Sequence, residues 1–558
     1  MTPPAHPAQR SLLLNGFMGS GKTRLGELVA ARLGLPFLDL DQELERQHQR
    51  SVRELFASLG EAGFRQLERQ RLTELLGDSE LRVLALGGGA LLERSTRLRA
   101  LEQGVVVSLS APVETLLERL SGDTTRPLLD GAEPAERVRA LLDSRALAYA
   151  EAHAVIDTSQ LALEQLARRV AQIWLRQPIA VAAAADSYRV EICNGELSTL
   201  LAELLASGEL GKAPTRLLWV SDTNVERHHG ALRQRVEDAA SRGAGGRPDS
   251  DRAGAQAALP PHSAVLLTPG EEHKSLDALP AIYQHCLEHG VDRQSVVIGL
   301  GGGVVTDIAG FAAATWMRGV RWIGLPSTLL AMVDASVGGK TAVDFGPAKN
   351  CVGAFWQPSA VVCDVELLKT EPQRGYVSAL SEVIKTALIG DPQLLDVLEQ
   401  QSDLVLARDS QLLMQVVRRC VAVKAGIVSR DPREAAERVH LNLGHTLGHA
   451  MEAYAGYGAL THGEAISLGL IAALRLGCRL GHTPRALAVR VEALLTRLGL
   501  PIDLERHHLP AACALLGHDK KRSGAVVRFV FCRAAGDVFS TYIALADLQR
   551  QAADLQRA

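Results

Sequence analysis

The chain has 558 residues, several times the length of a typical domain, so we expect two to four compact units. Its 60 Lys and Arg residues nearly balance 63 Asp and Glu residues, which argues against a general polyanion-binding surface and against nucleic acid as a partner. No segment approaches the roughly 20 apolar residues of a membrane span, and the N-terminus lacks a signal-peptide stretch. The eight cysteines form no C-x-x-C pair. We therefore expect a soluble cytoplasmic protein with reduced cysteines.

The first third of the chain alternates apolar strands with helical patterns. Predicted strands cover residues 12–14, 83–86 and 105–109, and amphipathic segments lie between them. That alternation is typical of a parallel sheet with helices on both faces. We therefore predict one α/β domain over residues 11–174, preceded by a disordered N-terminus over residues 1–10.

A loss of periodicity separates this domain from the rest of the chain. Residues 175–187 are rich in alanine and are predicted as a linker. Strand-like segments such as 296–300 then resume, and they give way to an almost entirely helical pattern. We predict a Rossmann-like α/β domain over 188–361 and an all-α domain over 362–558. Residues 241–261, rich in Gly, Ala, Arg and Pro, are predicted as a long exposed loop.

A phosphate-binding motif follows the first predicted strand. Gly16 to Thr23 read G-x-x-x-x-G-K-T, and a predicted helix follows directly. In such a loop the glycines, here including Gly19 and Gly21, let backbone N–H groups surround phosphates at a helix N-terminus. Lys22 can reach the terminal phosphates, and the Thr23 hydroxyl can bind Mg²⁺. A chance glycine-rich turn is the alternative, and the strand-loop-helix context favours an ATP site over it.

The residues that follow indicate what accepts the phosphoryl group. Asp39 and Asp41 alternate after a short apolar segment, which predicts both carboxylates on one side of a strand end. Glycines and arginines then occur in four segments, which are Gly60-Glu61-Ala62-Gly63-Phe64-Arg65, Leu86-Gly87-Gly88-Gly89, Arg126-Pro127-Leu128-Leu129 and Arg145. Across nearly all of residues 11–174 this set resembles shikimate kinase.

The resemblance implies a substrate site. Asp41, Arg65, Gly88 and Arg145 would bind shikimate, and Asp41 would take or orient the proton of the attacking hydroxyl. The two arginines would hold the shikimate carboxylate, for which bidentate guanidinium geometry is suited.

The resemblance also implies contacts to the nucleotide. Asp39 would serve Mg²⁺ together with Thr23, Arg119 would stack near adenine, and Arg126 would neutralise the transferring phosphoryl group from a mobile lid. Surface ion pairs are the alternative for Arg119 and Arg145, and an N-cap is the alternative for Asp39.

A second glycine turn lies at the end of the strand predicted over 296–300. Gly301-Gly302-Gly303 lead through Thr306 and Asp307 into a predicted helix, a place suited to a pyrophosphate, although the segment is not the G-x-G-x-x-G fingerprint. Four segments follow, which are Met317-Arg318-Gly319, Pro326-Ser327-Thr328, Asp334-Ala335-Ser336-Val337-Gly338-Gly339-Lys340 and Lys349-Asn350. This run closely resembles 3-dehydroquinate synthase.

That resemblance implies an NAD⁺ site. The implied contacts come from Asp222, Asn224, Glu271, Lys274, Gly302, Gly303, Asp307, Ser327, Thr328, Lys340, Lys349 and Thr370. An ordinary turn is the alternative for Asp222 to Asn224. Thr306 stands where the family commonly has glycine, so a change in NAD⁺ affinity is expected, and the loop Phe345-Gly346-Pro347-Ala348 also departs from the family pattern.

The helical region adds one carboxylate and two imidazoles, Glu382, His445 and His462. Three such ligands leave an open position, as a catalytic Zn²⁺ or Co²⁺ requires. His449 shares a helix face with His445, and the resemblance assigns it to the substrate pocket instead. The remaining implied substrate and catalytic residues are Arg318, Asp334, Lys340, Asn350, Lys385, Lys424, Arg438, Asn442 and Lys520. So many cations would be costly to bury without a bound anion.

Together the two resemblances imply a bifunctional enzyme of the shikimate pathway. One site would phosphorylate shikimate with ATP. The other would convert 3-deoxy-arabino-heptulosonate 7-phosphate to 3-dehydroquinate plus phosphate, with NAD⁺ regenerated in each turnover. A homodimer through the synthase half is also implied. The alternatives are an NAD⁺-dependent polyol dehydrogenase at the second site and a nucleotide-sensing module without catalysis at the first.

Overall fold

The computed structural model describes residues 9–121, 134–243, 259–346, 348–456, 458–514, 516, 522–523 and 526–555. The chain divides into two compact units, residues 1–191 and residues 192–558. This division lies just beyond the predicted linker, and the predicted domain limits stay a prediction. Most of the predicted disordered N-terminus and residues 244–258 of the predicted loop lie outside the described residues.

The first unit consists of short strands alternating with helices. Its strands are β1 Ser11–Gly16, β2 Phe37–Asp39, β3 Val83–Ala85, β4 Gly104–Ser110, β5 Ala154–Asp157, β6 Ile179–Val181 and the start of β7 Tyr188–Cys193. Its helices are α1 Lys22–Leu33, α2 Leu40–His48, α3 Val52–Gly77, α4 Arg94–Gln103, α5 Val113–Leu120, α6 Pro134–Ala150 and α7 Leu163–Arg176.

Five of these strands form a parallel sheet in the order β2-β3-β1-β4-β5. Successive side chains of the central strand point to opposite faces, so Leu12 and Leu14 pack in one buried cluster and Leu13 in another. All three are fully buried, because helices cover both faces and a strand in such a sheet is apolar throughout. The predicted α/β domain with helices on both faces is confirmed.

The segment predicted as a linker packs on this first unit. β6 pairs antiparallel with the start of β7, and Ala180 lies opposite Arg189. Ala182 is buried in the same cluster as Leu13 and Val106. Alanine side chains are small enough to lie against the helix and strand ends here, so this stretch contributes to the core.

The second unit begins with an α/β region and continues with helices. Its strands are β8 Leu217–Asp222, β9 His262–Leu267, β10 Val296–Gly301, β11 Arg321–Pro326, β12 Lys340–Phe345, β13 Ala348–Phe355, β14 Ala360–Asp364, β15 Arg522–Ser523, β16 Val526–Ala534 and β17 Asp537–Ala544. Its helices are α8 Leu197–Ala206, α9 Thr223–His229, α10 Leu232–Gly243, α11 Leu279–Glu288, α12 Gly303–Thr315, α13 Gln373–Gly390, α14 Pro392–Gln400, α15 Ser402–Leu406, α16 Ser410–Arg430, α17 His445–Ala455, α18 His462–Arg479, α19 Arg485–Arg497, α20 Leu509–Ala514 and α21 Leu545–Leu555.

Strands β14, β11, β10, β8 and β9 lie side by side in that order, and all their pairings are parallel. In the centre, Ile298 pairs with Ile323 on one side and with Trp219 on the other. Helix α12 covers one face through Val305 and Ile308, which are buried in a cluster with strand residues. The predicted Rossmann-like region is confirmed.

A hairpin of β12 and β13 follows this sheet in the chain. Its strands pair antiparallel, from Lys340 opposite Phe355 to Phe345 opposite Ala348, with an irregularity between Val343 and Phe345. Asn350 in β13 has a φ of 50°, in the left-handed region that non-glycine residues seldom adopt. The hairpin therefore has a locally fixed and unusual backbone at the residue that follows Lys349.

The remainder of the second unit is mainly helical, as predicted, but it also contains a sheet that the all-α prediction missed. β15, β16 and β17 form three antiparallel strands. β16 carries Val527, Phe529, Val530 and Phe531, all buried, and β-branched and aromatic residues favour strands. An apolar run of this length is ambiguous between a buried strand and a buried helix segment until its partner strand is known. None of the described helices combines the length and the apolar character that crossing a membrane requires.

Candidate active sites

The phosphate-binding loop of the first unit has the backbone that its glycines permit. Gly16, Gly19 and Gly21 have φ values of 136°, 77° and 92°, and Gly21 directly precedes α1. Lys22 Nζ donates to the carbonyl oxygens of Gly16 and Phe17, both over 2.9 Å. The ammonium group thus lies within the loop, at the N-terminus of a helix where phosphates bind.

Asp39 connects this loop to the next helix. Thr23 Oγ1 donates to Asp39 Oδ2 over 2.7 Å, and Asp39 Oδ1 accepts from the backbone N–H of Asp41 over 3.1 Å. Asp39 ends β2 and caps α2, whereas Asp41 lies in the first turn of α2. The predicted strand alternation of the two carboxylates is therefore wrong, because the helix already begins at Leu40. Asp39 therefore acts as the N-cap of α2 and contacts Thr23 at the same time, since each contact uses a different carboxylate oxygen.

A triple-glycine loop after β3 brings the predicted substrate residues together. A Cβ atom on Gly87 would lie 2.2 Å from Glu68 Oε1 and 2.9 Å from Asp41 Oδ1. A Cβ on Gly89 would lie 2.2 Å from Arg65 Cζ. A side chain at either position would displace its neighbour, because real Cβ atoms do not come so close to other groups. Asp41 and Arg65 therefore both lie against this loop.

Glu68 is a functional candidate that the sequence analysis missed. Its side chain is completely buried, and Oε2 accepts a hydrogen bond of 2.5 Å from Arg65 Nη1. Burial raises the pKa of Glu68 to about 7, and the neighbouring Arg65 opposes that rise. The sequence signal available for Glu68 was its spacing of three residues from Arg65 on α3, because this spacing places the two side chains on one helix face.

The carbonyl group of Gly88 accepts two hydrogen bonds from α6. Arg145 Nη1 donates over 3.3 Å and the Tyr149 hydroxyl donates over 2.6 Å. A Cβ on Gly88 would lie 3.4 Å from the Gly16 carbonyl oxygen, so the glycine loop also touches the phosphate loop. Burial raises the pKa of Tyr149, which keeps it a donor. Tyr149, also missed from sequence, lies one turn beyond Arg145.

Arg119 of α5 is fixed beside the phosphate loop. Its Nη1 donates to Thr158 Oγ1 over 3.0 Å and to the Gly19 carbonyl over 3.4 Å, and its Nη2 donates to the Thr158 carbonyl over 3.2 Å. These partners are neutral oxygens, so the surface ion pair considered for Arg119 is wrong. Arg126, the predicted lid residue, lies outside the described residues.

In the second unit the carboxyl ends of three parallel strands meet at one edge. β8 ends at Asp222, β10 leads into Gly302 and Gly303, and β11 leads into Ser327 and Thr328. Such an edge is where open α/β sheets bind nucleotides. Asp222 accepts from the backbone N–H of Asn224 over 2.8 Å and caps α9, so it has a structural role at this edge as well.

Thr306 is buried beside the glycine turn. Its hydroxyl donates to the carbonyl oxygens of Gly303 over 3.1 Å and of Gly302 over 3.3 Å. The hydroxyl is therefore directed back along α12 toward the turn and is already bonded there. The side chain that departs from the family pattern is thus accommodated inside the fold.

Lys274 joins three segments of this nucleotide edge. Its Nζ donates to Asp307 Oδ2 over 2.5 Å and to Asn350 Oδ1 over 2.6 Å. Asn350 N in turn donates to Asp344 Oδ1 over 2.6 Å. Burial raises the pKa of Asp307 to about 6, and Lys274 opposes this rise. Glu271 lies three residues before Lys274 in the same turn.

Thr370 is held by a histidine that the sequence analysis did not select. His229 Nε2 lies 2.7 Å from Thr370 Oγ1. The Thr370 hydroxyl donates to the Leu367 carbonyl over 3.0 Å. His229 is buried at the end of α9, and burial lowers its pKa. The signal available in the sequence was only a histidine seven residues after Asp222.

Three polar side chains from separate helices converge as the predicted metal ligands. Glu382 Oε1 lies 3.5 Å from His445 Nε2 and 3.4 Å from His462 Nε2. Ligands bound tetrahedrally at about 2.0–2.1 Å from Zn²⁺ are about 3.3–3.4 Å apart, so this spacing fits a shared metal ion. His445 Nδ1 lies 3.2 Å from the Leu443 carbonyl oxygen. A protonated Nδ1 that donates to this oxygen leaves Nε2 available for a metal.

His449 lies close to the same group. Ring nitrogens of His445, His449 and His462 all lie within 4.8 Å of one another. The His449 ring centre is 5.1 Å from that of His445 and 5.7 Å from that of His462. The structure thus brings all four predicted residues together, and two ligand sets are possible, Glu382 with His445 and His462 or the three histidines.

Several cations around this cluster are paired with carboxylates of the chain itself. Lys385 pairs with Glu382, Lys424 with Asp334, Lys340 with Glu434, and Lys349 with Glu452. Lys385, Lys424 and Arg438 are buried. The expectation that these cations would require a bound anion is therefore wrong for the four lysines, since each already has a counter-charge.

Glu434 is a further residue that the sequence analysis missed. It pairs with Lys340, and its Oε1 accepts from Asn442 Nδ2 over 3.3 Å. Its φ of 59° lies in the left-handed region, which indicates a backbone fixed by its surroundings. Arg438 in the same loop donates to the Gly338 carbonyl over 3.1 Å. Glu434 therefore connects the predicted residues Lys340 and Asn442.

Of the two remaining predicted substrate residues, only Arg318 lies among the described residues. Arg318 is exposed and follows the C-terminal end of α12, whose 13 residues span about 20 Å from the glycine turn at its start. Lys520 lies outside the described residues. The described part of the second site thus consists of the nucleotide edge, the metal cluster and the lysine–carboxylate pairs between them.

Comparison with known proteins identifies both units. The family model of the 3-dehydroquinate synthase N-terminal region matches residues 264–378, and that of its C-terminal region matches residues 379–522. The shikimate kinase family model matches residues 18–174. The chain is 44% identical over 273 residues to a 3-dehydroquinate synthase of Pelobacter propionicus (strain DSM 2379 / NBRC 103807 / OttBd1), which covers 49% of this chain and 76% of that protein.

Two solved structures are similar to separate parts of the chain. A shikimate kinase from Acinetobacter baumannii in complex with shikimate is 40% identical and covers 30% of this chain and 93% of its own, with a TM-score of 0.29. A 2-deoxy-scyllo-inosose synthase complexed with carbaglucose-6-phosphate, NAD⁺ and Co²⁺ is 21% identical, covers 68% of this chain and 99% of its own, and has a TM-score of 0.57. The second likeness concerns the fold alone. The chain belongs to the 3-dehydroquinate synthase family and carries a shikimate kinase domain before the synthase, which makes it a bifunctional enzyme of the shikimate pathway.

Proposed function

We propose that the first site binds shikimate at the glycine loop and ATP with Mg²⁺ at the phosphate loop. The observation that supports this most is the convergence of Asp41, Arg65 and Arg145 on three glycines that touch the phosphate loop. Arg65 and Arg145 would hold the carboxylate of shikimate, because guanidinium groups match carboxylate geometry. Thr23 and Asp39 would hold Mg²⁺, which shields the phosphate charges.

The transfer then depends on positions that the chain fixes in advance. Asp41 accepts the proton of the attacking shikimate hydroxyl while the oxygen of that hydroxyl forms a bond to the γ-phosphorus of ATP. The bond from that phosphorus to the bridging oxygen breaks, and ADP leaves. Lys22 compensates the charge on the transferring group from within the loop.

Asp41→Asn in the full-length chain tests this assignment. Loss of a proton acceptor is expected to lower kcat for ADP release by about 100-fold or more. Asp143→Asn, on the exposed surface of α6, is the matched control and should behave as wild type. Full activity of Asp41→Asn would rule out the role assigned to this carboxylate.

We propose that the second site binds NAD⁺ at the strand edge and a divalent metal ion, Zn²⁺ or Co²⁺, at Glu382, His445 and His462. The spacing of Glu382 from both histidine Nε2 atoms supports this choice of ligands. When bound, NAD⁺ and the metal supply reversible oxidation of a ring hydroxyl and polarisation of its oxygen. The proposed substrate is 3-deoxy-arabino-heptulosonate 7-phosphate.

The side chains around the cluster position this substrate. Lys385 is buried beside Glu382, and Lys424 donates to Asp334 Oδ1 and to the Asp334 carbonyl oxygen, both over 2.6 Å. A substrate carboxylate or phosphate can bind beside these donors, because the cations that compensate its charge are already in place. His449 can exchange a proton with the substrate beside the metal ligands.

An NAD⁺-dependent polyol dehydrogenase is the alternative activity for this site. Because the lysines have partners in the chain, their charge alone does not decide between the two activities. The heptulosonate phosphate and NAD⁺ are therefore supplied to the full chain, and inorganic phosphate and NADH are measured together. The proposal predicts one phosphate per turnover without accumulation of NADH, whereas net NADH from a polyol without phosphate release would overturn it.

We also propose that the chain forms a homodimer through its synthase half. The exposed position of Arg318, away from the other substrate residues, is compatible with a contribution from outside the single chain. Light scattering on the full chain measures the mass directly, and a monomer at assay concentration would exclude this assembly.

A further inference from the structure

Two consecutive residues of β13 face two different parts of the synthase site. Asn350 Oδ1 accepts from Lys274 over 2.6 Å, and Lys274 reaches Asp307 in the second turn of α12. Lys349 Nζ donates to Glu452 Oε1 over 2.6 Å. The two side chains thus contact different segments, so the hairpin lies between the nucleotide edge and the helices that carry the metal ligands.

Glu452 extends this contact to a metal ligand. It lies on α17, and its side chain is 12% exposed. Glu452 Oε2 lies 3.7 Å from His462 Nδ1, which is too long for a direct hydrogen bond. The other ring nitrogen of His462 faces Glu382. A carboxylate behind a metal-binding histidine orients the ring and makes it a stronger ligand.

We infer that Glu452 is a positioning residue that links the β13 hairpin to the metal ligand His462. The inference rests on the proposed metal and NAD⁺ sites. Lys349 and His462 share the charge of one carboxylate. When an anion binds at the hairpin and attracts Lys349, more of the negative charge of Glu452 acts on His462. Metal and NAD⁺ should therefore strengthen each other's binding, because coupling between two ligands is reciprocal.

Co²⁺ affinity of the full chain, stripped of metal, measures this coupling. Binding is followed by the visible absorption of bound Co²⁺ in competition with a chelator, with and without NAD⁺. In wild type NAD⁺ should tighten Co²⁺ binding by about fivefold or more. Glu452→Gln should weaken Co²⁺ binding by about 10-fold to 100-fold and abolish the effect of NAD⁺.

Lys349→Met tests the same link from its other end. Without the lysine, Glu452 acts on His462 alone, so Co²⁺ binding without NAD⁺ should become tighter and approach that of wild type with NAD⁺. Opposite signs for the two variants separate this role from a structural one, since general damage would weaken binding in both. Glu492→Gln removes a carboxylate that pairs with Arg475 elsewhere in the unit, and it is the matched control.

Each outcome decides the inference. Unchanged Co²⁺ affinity in Glu452→Gln, weaker binding in Lys349→Met, or an NAD⁺ effect that persists in Glu452→Gln overturns it while the metal and NAD⁺ sites stand. If the wild-type chain binds neither Co²⁺ nor NAD⁺, the proposed function fails, and the inference fails with it.

Discussion

Arg65 donates to Glu68 across 2.5 Å, and these two residues differ sharply in exposure. The Glu68 side chain is completely buried, whereas 15% of the Arg65 side chain stays accessible. The buried carboxylate therefore anchors the guanidinium group, whose other terminal nitrogen lies 3.6 Å from Glu61 Oε1 and whose side chain stays partly accessible to a ligand. This arrangement pre-orients Arg65 for the carboxylate that the kinase site is proposed to bind.

Replacing Glu68 by Gln should weaken shikimate binding. A hydrogen bond between charged groups contributes about 1.5–3 kcal/mol, so the KM for shikimate should rise by about 10-fold or more. The KM for ATP should change little, because Glu68 does not contact the phosphate loop. Initial rates of ADP release against each substrate separate the two effects, and an equal rise in both KM values would contradict the assignment.

The same residue predicts a pH dependence of the kinase. Burial raises the pKa of Glu68 to about 7, so the carboxyl group becomes protonated as pH falls below 7. Protonation removes the charge that holds Arg65, and the KM for shikimate should therefore rise on the acid side and fall on the alkaline side. In Glu68→Gln this dependence should disappear. A profile that keeps its shape in the variant would assign the titration to another group.

Replacing Gly89 by Ala should displace Arg65 without unfolding the unit. A Cβ atom there would lie 2.2 Å from Arg65 Cζ, the far end of a flexible side chain that can move aside. We expect the KM for shikimate to rise about 10-fold, in line with loss of one charged contact. Gly77→Ala, whose Cβ would meet nothing within 4 Å, is the matched control. Wild-type kinetics in Gly89→Ala would show that Arg65 can bind from another rotamer.

Removing the metal site should separate the two activities. His445→Ala removes one of three proposed ligands, so synthase turnover should fall by about 100-fold or more while the kinase, assayed with Mg²⁺, is unchanged. Dialysis of wild type against a chelator should reproduce the synthase loss, and Zn²⁺ or Co²⁺ should restore it. Loss of both activities in the variant would indicate misfolding or coupling between the two units.

Glu371 should make the synthase unit less stable as pH rises. Burial raises its pKa to about 7 from an ordinary value of 4.5, while the backbone N–H of Leu329, which donates over 2.9 Å, opposes this. The folded state then holds a proton that the unfolded state has released, so the contribution is complete below pH 4.5 and is lost as pH rises through 7. At pH 8 the Glu371→Gln variant should be more stable than wild type by about 1–3 kcal/mol, and it should therefore unfold at a higher temperature. Calorimetry of both proteins at pH 5 and pH 8 checks this, and a stability difference between variant and wild type that is equal at the two pH values would contradict it.

Thr306→Gly should change stability rather than cofactor affinity. The buried Thr306 hydroxyl bonds to the carbonyl groups of Gly302 and Gly303, so its removal costs an internal contact rather than an exposed one. Glycine in a helix costs about 1 kcal/mol, so the variant should melt at a lower temperature with a KM for NAD⁺ within about twofold of wild type. A large fall in that KM would show that the threonine restricts the pyrophosphate site.

Local patterns in the sequence were sufficient for the two α/β regions, whereas most of the proposed site residues were selected through the family resemblances. Leu12 to Leu14 form a fully apolar run because helices cover both faces of their sheet, and Gly16 to Thr23 carry their function within eight consecutive positions. The Glu382, His445 and His462 set could also be selected, although only through the family resemblance.

Tertiary structure alone decided what these residues contact. Glu68, Tyr149, Glu434 and Glu452 belong to no local motif, and their roles follow from neighbours that lie close only after folding. The pairing of four site lysines, Lys340, Lys349, Lys385 and Lys424, with carboxylates likewise removed the predicted demand for a bound anion. The physical reason is that a sequence pattern records residue type and spacing along the chain, whereas burial and counter-charge depend on distances between separate segments. For this protein the sequence therefore determined the family and the motifs, and the fold decided the charge state and the partners of the side chains between them.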